Sequence, residues 1–363
     1  MKFNHLEEFL TEIMEMERDC KRYIWGISVY GDLLGRLFNK YKVMWDGYFD
    51  NFSSTEDETL NSKPVYKGDS VNVFEKAKYI LPMRDCEAVK VQLMEKGVNE
   101  DSILCLDNAD ILDDFEDFMG ESSVSKDKIK SFRNMHYGEK CFIIGNGPSL
   151  NIQDLDVIYR SGIVSFASNL IFKCYDKTLW RPEYYFFIDV TGIREELGSN
   201  TVLNYVTQNC KYMFVRSNGN LNENSCEKRN IVCLKFVFSK FEHEFDFSTD
   251  CSEKIYIGYM VTYAMLQMAV YMGFKEIYLL GMDHNFSREK QGDGSIATKE
   301  NVRNHAAILG NYGLWGVAEP VKTTNAYKSA KNYADGHGIK IYNATRGGKL
   351  EVFERVDFDG LFS

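Results

Sequence analysis

The chain has 363 residues, of which 44% are apolar and 26% are charged, and its formal net charge at pH 7 is −10. This composition is typical of an ordinary globular protein, and the length predicts two or three domains. An acidic surface disfavours nucleic acid and anionic lipid as general partners, so an anionic ligand would need a local pocket.

The cysteine and histidine patterns predict neither a disulfide framework nor a metal centre. The nine Cys residues include no C-x-x-C pair, and the six His residues are scattered. We therefore expect reduced thiols and a cytoplasmic protein. The longest apolar run is well short of about 18 residues, so we expect no membrane span. The charged N-terminal segment predicts an amphipathic helix rather than a signal peptide.

The first part of the chain alternates strands with helices. Strands are predicted at Tyr23–Gly26, Val43–Phe49, Ala77–Met83 and Ser102–Leu106, helices at Asp32–Tyr41 and Cys86–Gly97, and a polar loop at Ser53–Pro64. This rhythm favours a parallel, doubly wound sheet. Gly26 and Gly31 suggest a dinucleotide turn, but Ser28 replaces its second glycine, and Asp50 follows Gly26 after twenty-four residues. We interpret residues 1–125 as a Rossmann-like module with a degenerate glycine motif, used for packing or association.

An acidic, polar stretch near residues 107–130 predicts a linker, after which residues 126–363 repeat the same rhythm. Strands are predicted at Cys141–Ile144, Ile163–Ala167, Tyr184–Asp189, Tyr212–Arg216, Ile231–Val237, Glu276–Gly281 and Ile339–Asn343. Helices are predicted at Ile152–Arg160, Val202–Cys210, Ile257–Met272 and Ala326–Gly336. We expect an α/β protein of two Rossmann-like domains with doubly wound parallel sheets. The polar segment His284–Asn304 is either a solvated loop or a lid over a ligand crevice.

The motif GNGPSL follows the first strand of the second domain and opens the next helix. Gly145 and Gly147 allow a ligand to approach the backbone, and Pro148 suits the first turn of a helix. Asn146 and Ser149 add polar side chains, and a helix N-terminus favours an anion such as a phosphate. The alternative interpretation is a tight strand-to-helix turn that binds no ligand.

Polar residues also follow three other predicted strands. Ser168 and Asn169 follow one, Asp189 ends another, and Asp283 and His284 follow a third. The carboxyl ends of parallel strands meet at one edge of a sheet, so these residues are expected beside GNGPSL. For each one alone, a helix cap is the commoner explanation, whereas together in one domain they favour a site.

Two histidines are candidates for a general base at neutral pH, namely His284 and His305. Each also has an ordinary structural interpretation. Asp283 could hold a metal or a ribose, although one carboxylate does not make a metal site. Arg346, after the last predicted strand, could neutralise a phosphate or occupy a surface turn.

The motifs GNGPSL, FASN, FFID and YAMLQMAVYMGFKEIYLLGMDHNF together resemble the MptE-like family, which includes 6-hydroxymethylpterin diphosphokinases. They are also similar to bacterial sialyltransferases that modify lipooligosaccharide. The resemblance covers about Lys140–Asn343. It implies a catalytic second domain that binds an activated sugar or a nucleotide.

By this resemblance, the turn that holds the donor nucleotide comprises Gly145, Asn146, Gly147, Pro148 and Ser149. Asn169 and Asp189 would contact the nucleotide or the donor sugar, and Gly258 to Thr262 would lie near the donor phosphate. The family's Ser-Gly pair is not preserved there. The position of the family's catalytic histidine is occupied by Val321, so His284 or His305 would have to act as base. Asp283 is a further candidate catalytic residue.

The sequence thus favours a glycosyltransferase of surface polysaccharide or lipooligosaccharide synthesis. Its expected partners are a nucleotide sugar donor, CMP-linked by the resemblance, and a glycan or glycolipid acceptor that could bring it to the inner face of the membrane. No cofactor is required by this hypothesis. The alternatives are an ATP-dependent and Mg²⁺-dependent pyrophosphokinase of the hydroxymethylpterin type, and a non-catalytic nucleotide-binding scaffold. The sequence leaves homo-oligomer formation open.

Overall fold

The computed structural model of the chain contains two compact units, Met1–Ser122 and Ser123–Ser363. The residues that it describes are 6–17, 19–27, 29–51, 59–71, 76–82, 86–106, 125–188, 200–216, 230–239, 244–290, 296–299, 305–306 and 318–362.

Unit one is built on a six-stranded sheet. Its strands are β1 (Lys21–Trp25), β2 (Gly47–Asp50), β3 (Thr59–Leu60), β4 (Lys63–Lys67), β5 (Ala77–Leu81) and β6 (Ile103–Cys105). Its helices are α1 (Leu6–Glu15), α2 (Val29–Tyr41) and α3 (Glu87–Glu95). The strand order is β3-β4-β2-β1-β5-β6, and every pair is parallel except β3 with β4. The chain therefore winds outward in both directions from β1.

Helices cover both faces of this sheet. Successive side chains of a strand point to opposite faces, so the neighbours Ile24 and Trp25 show what packs on each face. Ile24 of β1 belongs to a cluster with Phe9 of α1 and Phe38 of α2. Its neighbour Trp25 belongs to a second cluster that includes Leu93 of α3. Unit one is therefore a doubly wound α/β fold.

The residues of the glycine motif in unit one pack against one another. Gly26 has a φ of 95°, and a Cβ on Gly31 would lie 1.9 Å from the carbonyl oxygen of Gly26. Asp50 accepts a hydrogen bond from the backbone N–H of Ile27 at 3.1 Å. The carboxylate that a dinucleotide site would direct to a ribose therefore binds this turn. Ser28 lies outside the described residues.

Unit two has a larger parallel sheet and further short strands. Its strands are β7 (Lys140–Ile144), β8 (Val164–Ser168), β9 (Tyr184–Phe187), β10 (Tyr212–Arg216), β11 (Ile231–Leu234), β12 (Phe236–Phe238), β13 (Ile255–Ile257), β14 (Glu276–Leu280), β15 (Arg288–Lys290), β16 (Ile296–Thr298), β17 (Lys340–Asn343) and β18 (Glu354–Arg355). Its helices are α4 (Lys126–Lys130), α5 (Ile152–Ser161), α6 (Asn200–Gln208), α7 (Val261–Tyr271) and α8 (Pro320–Gly336).

The main sheet of unit two has eight strands in the order β11-β10-β9-β8-β7-β14-β17-β18, and all its pairs are parallel. From β7 the chain first proceeds outward through β8 to β11, and it then returns to place β14 on the other side of β7. The strand order therefore reverses between β7 and β14. Open α/β sheets bind ligands at the carboxyl ends of the strands at such a switch point.

Helices pack on both faces of this sheet as well. One apolar cluster contains residues of α7 and α8, and the other contains residues of α5 and α6. Helix α7 is buried nearly all round, so its fully buried polar residue Gln267 needs partners. Gln267 accepts hydrogen bonds from the amides of Ser248 and Tyr256 and donates to the Tyr256 carbonyl. The fold class predicted from the sequence is confirmed.

Several boundaries differ from the sequence prediction. The segment Ser53–Pro64, predicted as a loop, contains strand β3 and the first two residues of β4, including Pro64. Helix α7 begins at Val261 rather than Ile257, since residues 255–257 pair with β12 as strand β13. Helix α8 begins at Pro320, six residues earlier than predicted. The segment predicted as loop or lid contains the antiparallel pair β15 and β16.

None of the helices in the described ranges combines the length and apolar character needed to cross a bilayer. Eight cysteines fall within those ranges, and all eight are free thiols.

Candidate functional site

A cavity of about 280 Å³ lies at the switch point of unit two. The ends of β7 and β14 meet there, because the amides of Gly145 and Gly147 donate to the carbonyls of Leu280 and Gly281 at 2.8 and 2.9 Å. Apart from His305, the lining residues lie at or after the ends of β7, β8, β13 and β14, or next to the start or in the first turns of α7 and α8. The full lining is Gly145, Asn146, Gly147, Pro148, Ser168, Asn169, Tyr259, Met260, Val261, Thr262, Gly281, Met282, Asp283, His284, Asn285, Phe286, His305, Ala318, Glu319, Thr323 and Tyr327.

The glycines of GNGPSL are required by close packing between two backbone segments. A Cβ on Gly145 would lie 2.5 Å from the carbonyl oxygen of Gly281. A Cβ on Gly147 would lie 2.1 Å from Oδ2 of Asp283. Real Cβ atoms do not approach other atoms this closely, so these two positions accept only glycine without rearrangement.

Most amide groups of this turn are already bonded within the protein. Besides the two glycine amides, the Ser149 N–H donates to Asp283 Oδ2 at 3.2 Å, and Leu150 N–H donates to the Gly147 carbonyl. Pro148 has no N–H to offer. The Asn146 amide is the one N–H of the turn that makes no hydrogen bond to a described residue. A phosphate would therefore find fewer backbone donors here than the sequence pattern suggests.

Asp283 is the main anchor of the turn. Its Oδ2 also accepts the Ser149 hydroxyl at 2.8 Å, and its carbonyl accepts the Lys349 N–H at 2.7 Å. This position follows β14 directly, which explains how the residue reaches the neighbouring turn after β7. The carboxylate thus positions the two strand ends that form the cavity floor.

Three asparagines of the cavity wall have a buried amide oxygen with no hydrogen-bond partner among the described residues. They are Asn146, Asn169 and Asn285. The Asn146 side chain donates its Nδ2 to the Ser168 carbonyl at 3.0 Å, which fixes the amide orientation and leaves the oxygen as the group without a donor. Buried polar atoms are usually paired, so a donor such as a ligand hydroxyl or amine is expected at this wall.

Three lining residues adopt left-handed backbone conformations. The φ angles of Asn169, Tyr259 and His284 are 54°, 58° and 49°. Asn tolerates this region, but for a bulky side chain such as Tyr259 it is uncommon. Strain of this kind concentrates at ligand sites, where the surrounding structure holds it in place.

Two helices direct their N-termini at the cavity. Met260, at the N-cap of α7, provides no side-chain cap, and neither does Glu319 at the N-cap of α8. The first N–H groups of a helix have no intrahelical acceptor, and the helix dipole makes that end positive. The Val261 and Thr262 amides therefore give the cavity the anion-binding character that the GNGPSL turn largely lacks.

The charges of the wall are otherwise negative. Its described residues include the carboxylates of Asp283 and Glu319 but neither a lysine nor an arginine. Lys322 stands at the edge, where its ammonium donates to Glu319 at 3.0 Å and lies 4.5 Å from the ring centroid of Tyr259. A ligand carrying a single phosphate suits this balance better than a polyphosphate.

Both candidate histidines line the cavity. Burial lowers the pKa of His284 below its ordinary value of about 6.5, although the nearby Glu289 carboxylate partly opposes this. Burial also lowers the pKa of His305. His284 Nε2 lies 2.9 Å from Oγ1 of Thr324, which orients the ring. Both imidazoles are therefore neutral at pH 7 and able to accept a proton.

The structure brings together nine of the residues proposed from the sequence, which all line the cavity: Gly145, Asn146, Gly147, Pro148, Asn169, Thr262, Asp283, His284 and His305. Ser149 supports them through Asp283. Gly258 lies behind the wall, where a Cβ would lie 2.5 Å from the Tyr263 ring. Asp189 lies outside the described residues.

Two other sequence candidates lie elsewhere. Arg346 binds the buried carboxylate of Asp154 on α5 and the carboxylate of Asp359, so it has a structural environment rather than one in the cavity wall. Val321, which stands at the family's catalytic position, is 69% exposed on α8.

Sequence reasoning missed the contribution of the start of α8. Glu319, Thr323 and Tyr327 line the cavity, and Lys322 stands at its edge. The available signal was Pro320, since proline favours the first position of a helix. That signal places the helix start at residue 320 and puts the next two turns against the switch point.

The described residues contain no group of three or more His, Cys, Asp and Glu side chains placed to hold a metal ion. Asp283 is moreover engaged by Ser149. These donors do not fit a protein-bound Mg²⁺, which prefers carboxylate oxygens in octahedral geometry.

Residues 121–289 match the family model described as "6-hydroxymethylpterin diphosphokinase MptE-like". This match covers less than half of the chain. It includes the strand ends of β7, β8 and β14 and the start of α7, and therefore most of the cavity wall. The matched segment ends before α8, so Glu319, Thr323 and Tyr327 come from outside it.

Two solved structures show similarity to the chain. One is the MAf glycosyltransferase from Magnetospirillum magneticum AMB-1, with 14% identity and a TM-score of 0.38 over 93% of this chain and 57% of that one. The other is the sialyltransferase CstII from Campylobacter jejuni in complex with a substrate analogue, cytidine-5'-monophosphate, with 17% identity and a TM-score of 0.33 over 61% of this chain and 85% of that one. The chain thus spans just over half the length of the first. No curated protein sequence matches the chain.

Proposed function

We propose that unit two is a glycosyltransferase that uses a nucleotide-activated sugar, CMP-linked, in surface polysaccharide or lipooligosaccharide synthesis. The observation that carries this proposal is the convergence of the uncapped α7 N-terminus and the unpartnered oxygens of Asn146 and Asn169 on one cavity. The helix end suits a phosphate, and the amide oxygens suit hydroxyl or amino donors of a nucleoside or sugar.

Charge favours a monophosphate donor. A diphosphate would bring more negative charge to a wall that already carries Asp283 and Glu319. Without a bound cation, the α7 N-terminus and Lys322 would have to balance that charge. A nucleotide monophosphate sugar has a single phosphate and needs only one such helix end.

The proposed reaction is direct displacement at the anomeric carbon of the donor. The acceptor oxygen forms a bond to that carbon while the bond to the donor phosphate breaks, and the leaving nucleotide keeps the electron pair. Neutral His284 accepts the proton of the acceptor hydroxyl. The N–H groups of Val261 and Thr262 stabilise the charge that develops on the leaving phosphate.

Calorimetric titration with CMP, UDP, GDP and ATP tests the proposal. We expect CMP to bind and Asn169→Asp to weaken it by about tenfold or more, because the new carboxylate would face the phosphate and sugar hydroxyls. Asn230→Asp is the matched control, since Asn230 is an exposed turn residue before β11, at the amino end of the sheet. Failure of all four nucleotides to bind would refute the proposal.

The family description makes a pyrophosphokinase the second candidate. That activity transfers a diphosphoryl group from ATP to a pterin-like alcohol, and we would expect it to need Mg²⁺. ATP turnover that a chelator abolishes, together with no binding of CMP, would establish this candidate instead. Binding of CMP without any transfer would favour a nucleotide-binding scaffold.

A further inference from the structure

A second cavity, of about 390 Å³, lies beside the first in unit two, and His284 lines both. Its wall combines residues of α8 with the segment that follows β17: His284, Thr324, Lys328, Lys331, Asn332, Lys349, Leu350, Glu351 and Val352. Thr324, Lys328 and Lys331 are spaced by four and three residues, so they share one face of α8.

Lys349 is brought to this cavity by the same residue that anchors the GNGPSL turn. Its N–H donates to the Asp283 carbonyl at 2.7 Å. The preceding Gly348 has a φ of 74°, and a Cβ there would lie 2.8 Å from Cα of Asp283. The close approach that glycine permits therefore fixes Lys349 next to the strand end that carries His284.

The charge of the second cavity is positive, in contrast to the net charge of −10 of the chain. Lys331 pairs with Asp335 at 2.5 Å, and Glu351 pairs with Arg355 at 2.7 Å. Lys328 and Lys349 form no ion pair with any residue in the described ranges. Two ammonium groups thus remain to attract an anion.

His284 connects the two cavities. Its Nε2 lies 2.9 Å from the hydroxyl oxygen of Thr324, which lines the second cavity only. A base in a displacement reaction must contact the acceptor hydroxyl while the donor's anomeric carbon lies within bonding distance of that oxygen. A histidine in the common wall of two cavities satisfies this requirement when each cavity holds one substrate.

We propose that the second cavity binds the acceptor, and that this acceptor carries an anionic group, a phosphate or a carboxylate, held by Lys328 and Lys349. This inference rests on the proposed glycosyltransferase function. The half-buried apolar side chain of Val352 is part of the wall and can pack against the C–H face of a sugar ring, while Leu350 lies buried beneath it. The acceptor is thereby defined as an acidic or phosphorylated saccharide rather than a neutral one.

The test measures binding of small probes to the full chain with and without saturating CMP. Glucose 1-phosphate, glucuronic acid and neutral glucose are compared by calorimetry or ligand-detected NMR. We expect the two anionic probes to bind and glucose not to bind. The double variant Lys328→Gln/Lys349→Gln should weaken the anionic probes by about tenfold or more, while its affinity for CMP stays unchanged.

The matched control is Lys140→Gln/Lys340→Gln, which removes the same charge from the opposite, amino edge of the sheet, where both lysines are exposed. Sedimentation with phosphatidylglycerol and phosphatidylcholine vesicles separates a lipid phosphate from a free saccharide phosphate. Loss of binding only to the anionic vesicles in the Lys328/Lys349 variant would identify the acceptor's anion as a lipid headgroup.

Equal binding of the anionic probes to the wild type and the Lys328/Lys349 variant would overturn the inference. So would absence of anionic-probe and vesicle binding in a protein that binds CMP. In both cases the proposed function would stand, because it depends on the first cavity. If CMP and the other nucleotides also fail to bind, the proposed function itself is refuted.

Discussion

The carboxylate of Asp283 accepts two hydrogen bonds from Ser149, one from its amide at 3.2 Å and one from its hydroxyl at 2.8 Å. The two residues are 134 positions apart in the chain, yet they follow adjacent strands, β7 and β14. This contact joins the two strand ends at the switch point. It also occupies two donors that the GNGPSL motif would otherwise offer to a phosphate.

Asp283→Ala should destabilise the protein more than Ser149→Ala does. Removing the carboxylate leaves two part-buried donors without an acceptor, which costs about 1–3 kcal/mol, whereas removing the hydroxyl loses one hydrogen bond worth about 1 kcal/mol. Urea unfolding measures both changes. Asp357→Ala is the control, because that carboxylate is exposed and accepts the Gly360 amide at 3.0 Å, and we expect a change below about 0.5 kcal/mol. Equal effects of all three substitutions would contradict the anchoring role of Asp283.

Gly147→Ala should destabilise unit two by about 1–3 kcal/mol, because the added methyl would overlap Asp283 Oδ2 and the Gly281 carbonyl oxygen. The control is Gly336→Ala at the end of α8, where a Cβ meets nothing within 4 Å. That substitution should be neutral or stabilising by up to about 1 kcal/mol, since alanine favours the helix. The comparison by thermal unfolding fails if Gly147→Ala is as mild as its control.

The transfer rate should depend on pH through His284. Burial lowers the pKa of His284, so the imidazole stays neutral to a lower pH than an exposed histidine does. The midpoint of the acid limb of kcat/KM should therefore lie below about pH 6.5. His284→Gln should reduce the rate by about 100-fold or more and remove this limb, while His305→Gln should keep it. Assay of both variants across pH 5 to about 8 decides between the two histidines. An unchanged limb in His284→Gln would exclude His284 as the base.

The same lowered pKa values predict a loss of stability in acid. In the unfolded chain a histidine binds its proton near pH 6.5, whereas His284 and His305 in the folded chain bind it only at lower pH. Their contribution is thus fully present above about pH 6.5 and decreases as the pH falls toward the folded pKa values. Replacing both by Gln should flatten the pH dependence of the urea midpoint between about pH 7 and 5. An unchanged slope would show that other groups dominate it.

Arg346→Ala should destabilise the protein by about 2 kcal/mol, because it leaves the buried Asp154 carboxylate without its cation and releases Asp359. Lys126→Ala is the control, because it takes the cation away from Glu253, whose side chain is 56% exposed. Surface pairs contribute only about 0–1 kcal/mol, so this control should change the unfolding free energy little. Similar losses of unfolding free energy in both variants would show that the burial of Asp154 does not determine the size of the effect.

Local patterns predicted much of the fold. The buried strand EIYLL and the all-apolar strand YYFF were identified because a strand covered on both faces is a continuous apolar run. Strand β4, which lies between β3 and β2, was missed, because a proline within a run argues against an interior strand. The start of α7 was placed four residues early, because residues 255–257 are apolar and fit either a helix or the strand β13.

For the site, the sequence by itself determined which residues follow the strands: the GNGPSL turn, Asn169, Asp283 and His284. The parallel rhythm of the chain placed them at one sheet edge before any contact was known. The tertiary structure alone decided their partners. In the folded chain Ser149 donates a hydrogen bond to Asp283, and the N-terminus of α8 lies at the same cavity. Lys328 and Lys349 line the second cavity together with His284. Those contacts join segments far apart in the chain, and no local propensity encodes a pairing that arises only when the sheet assembles.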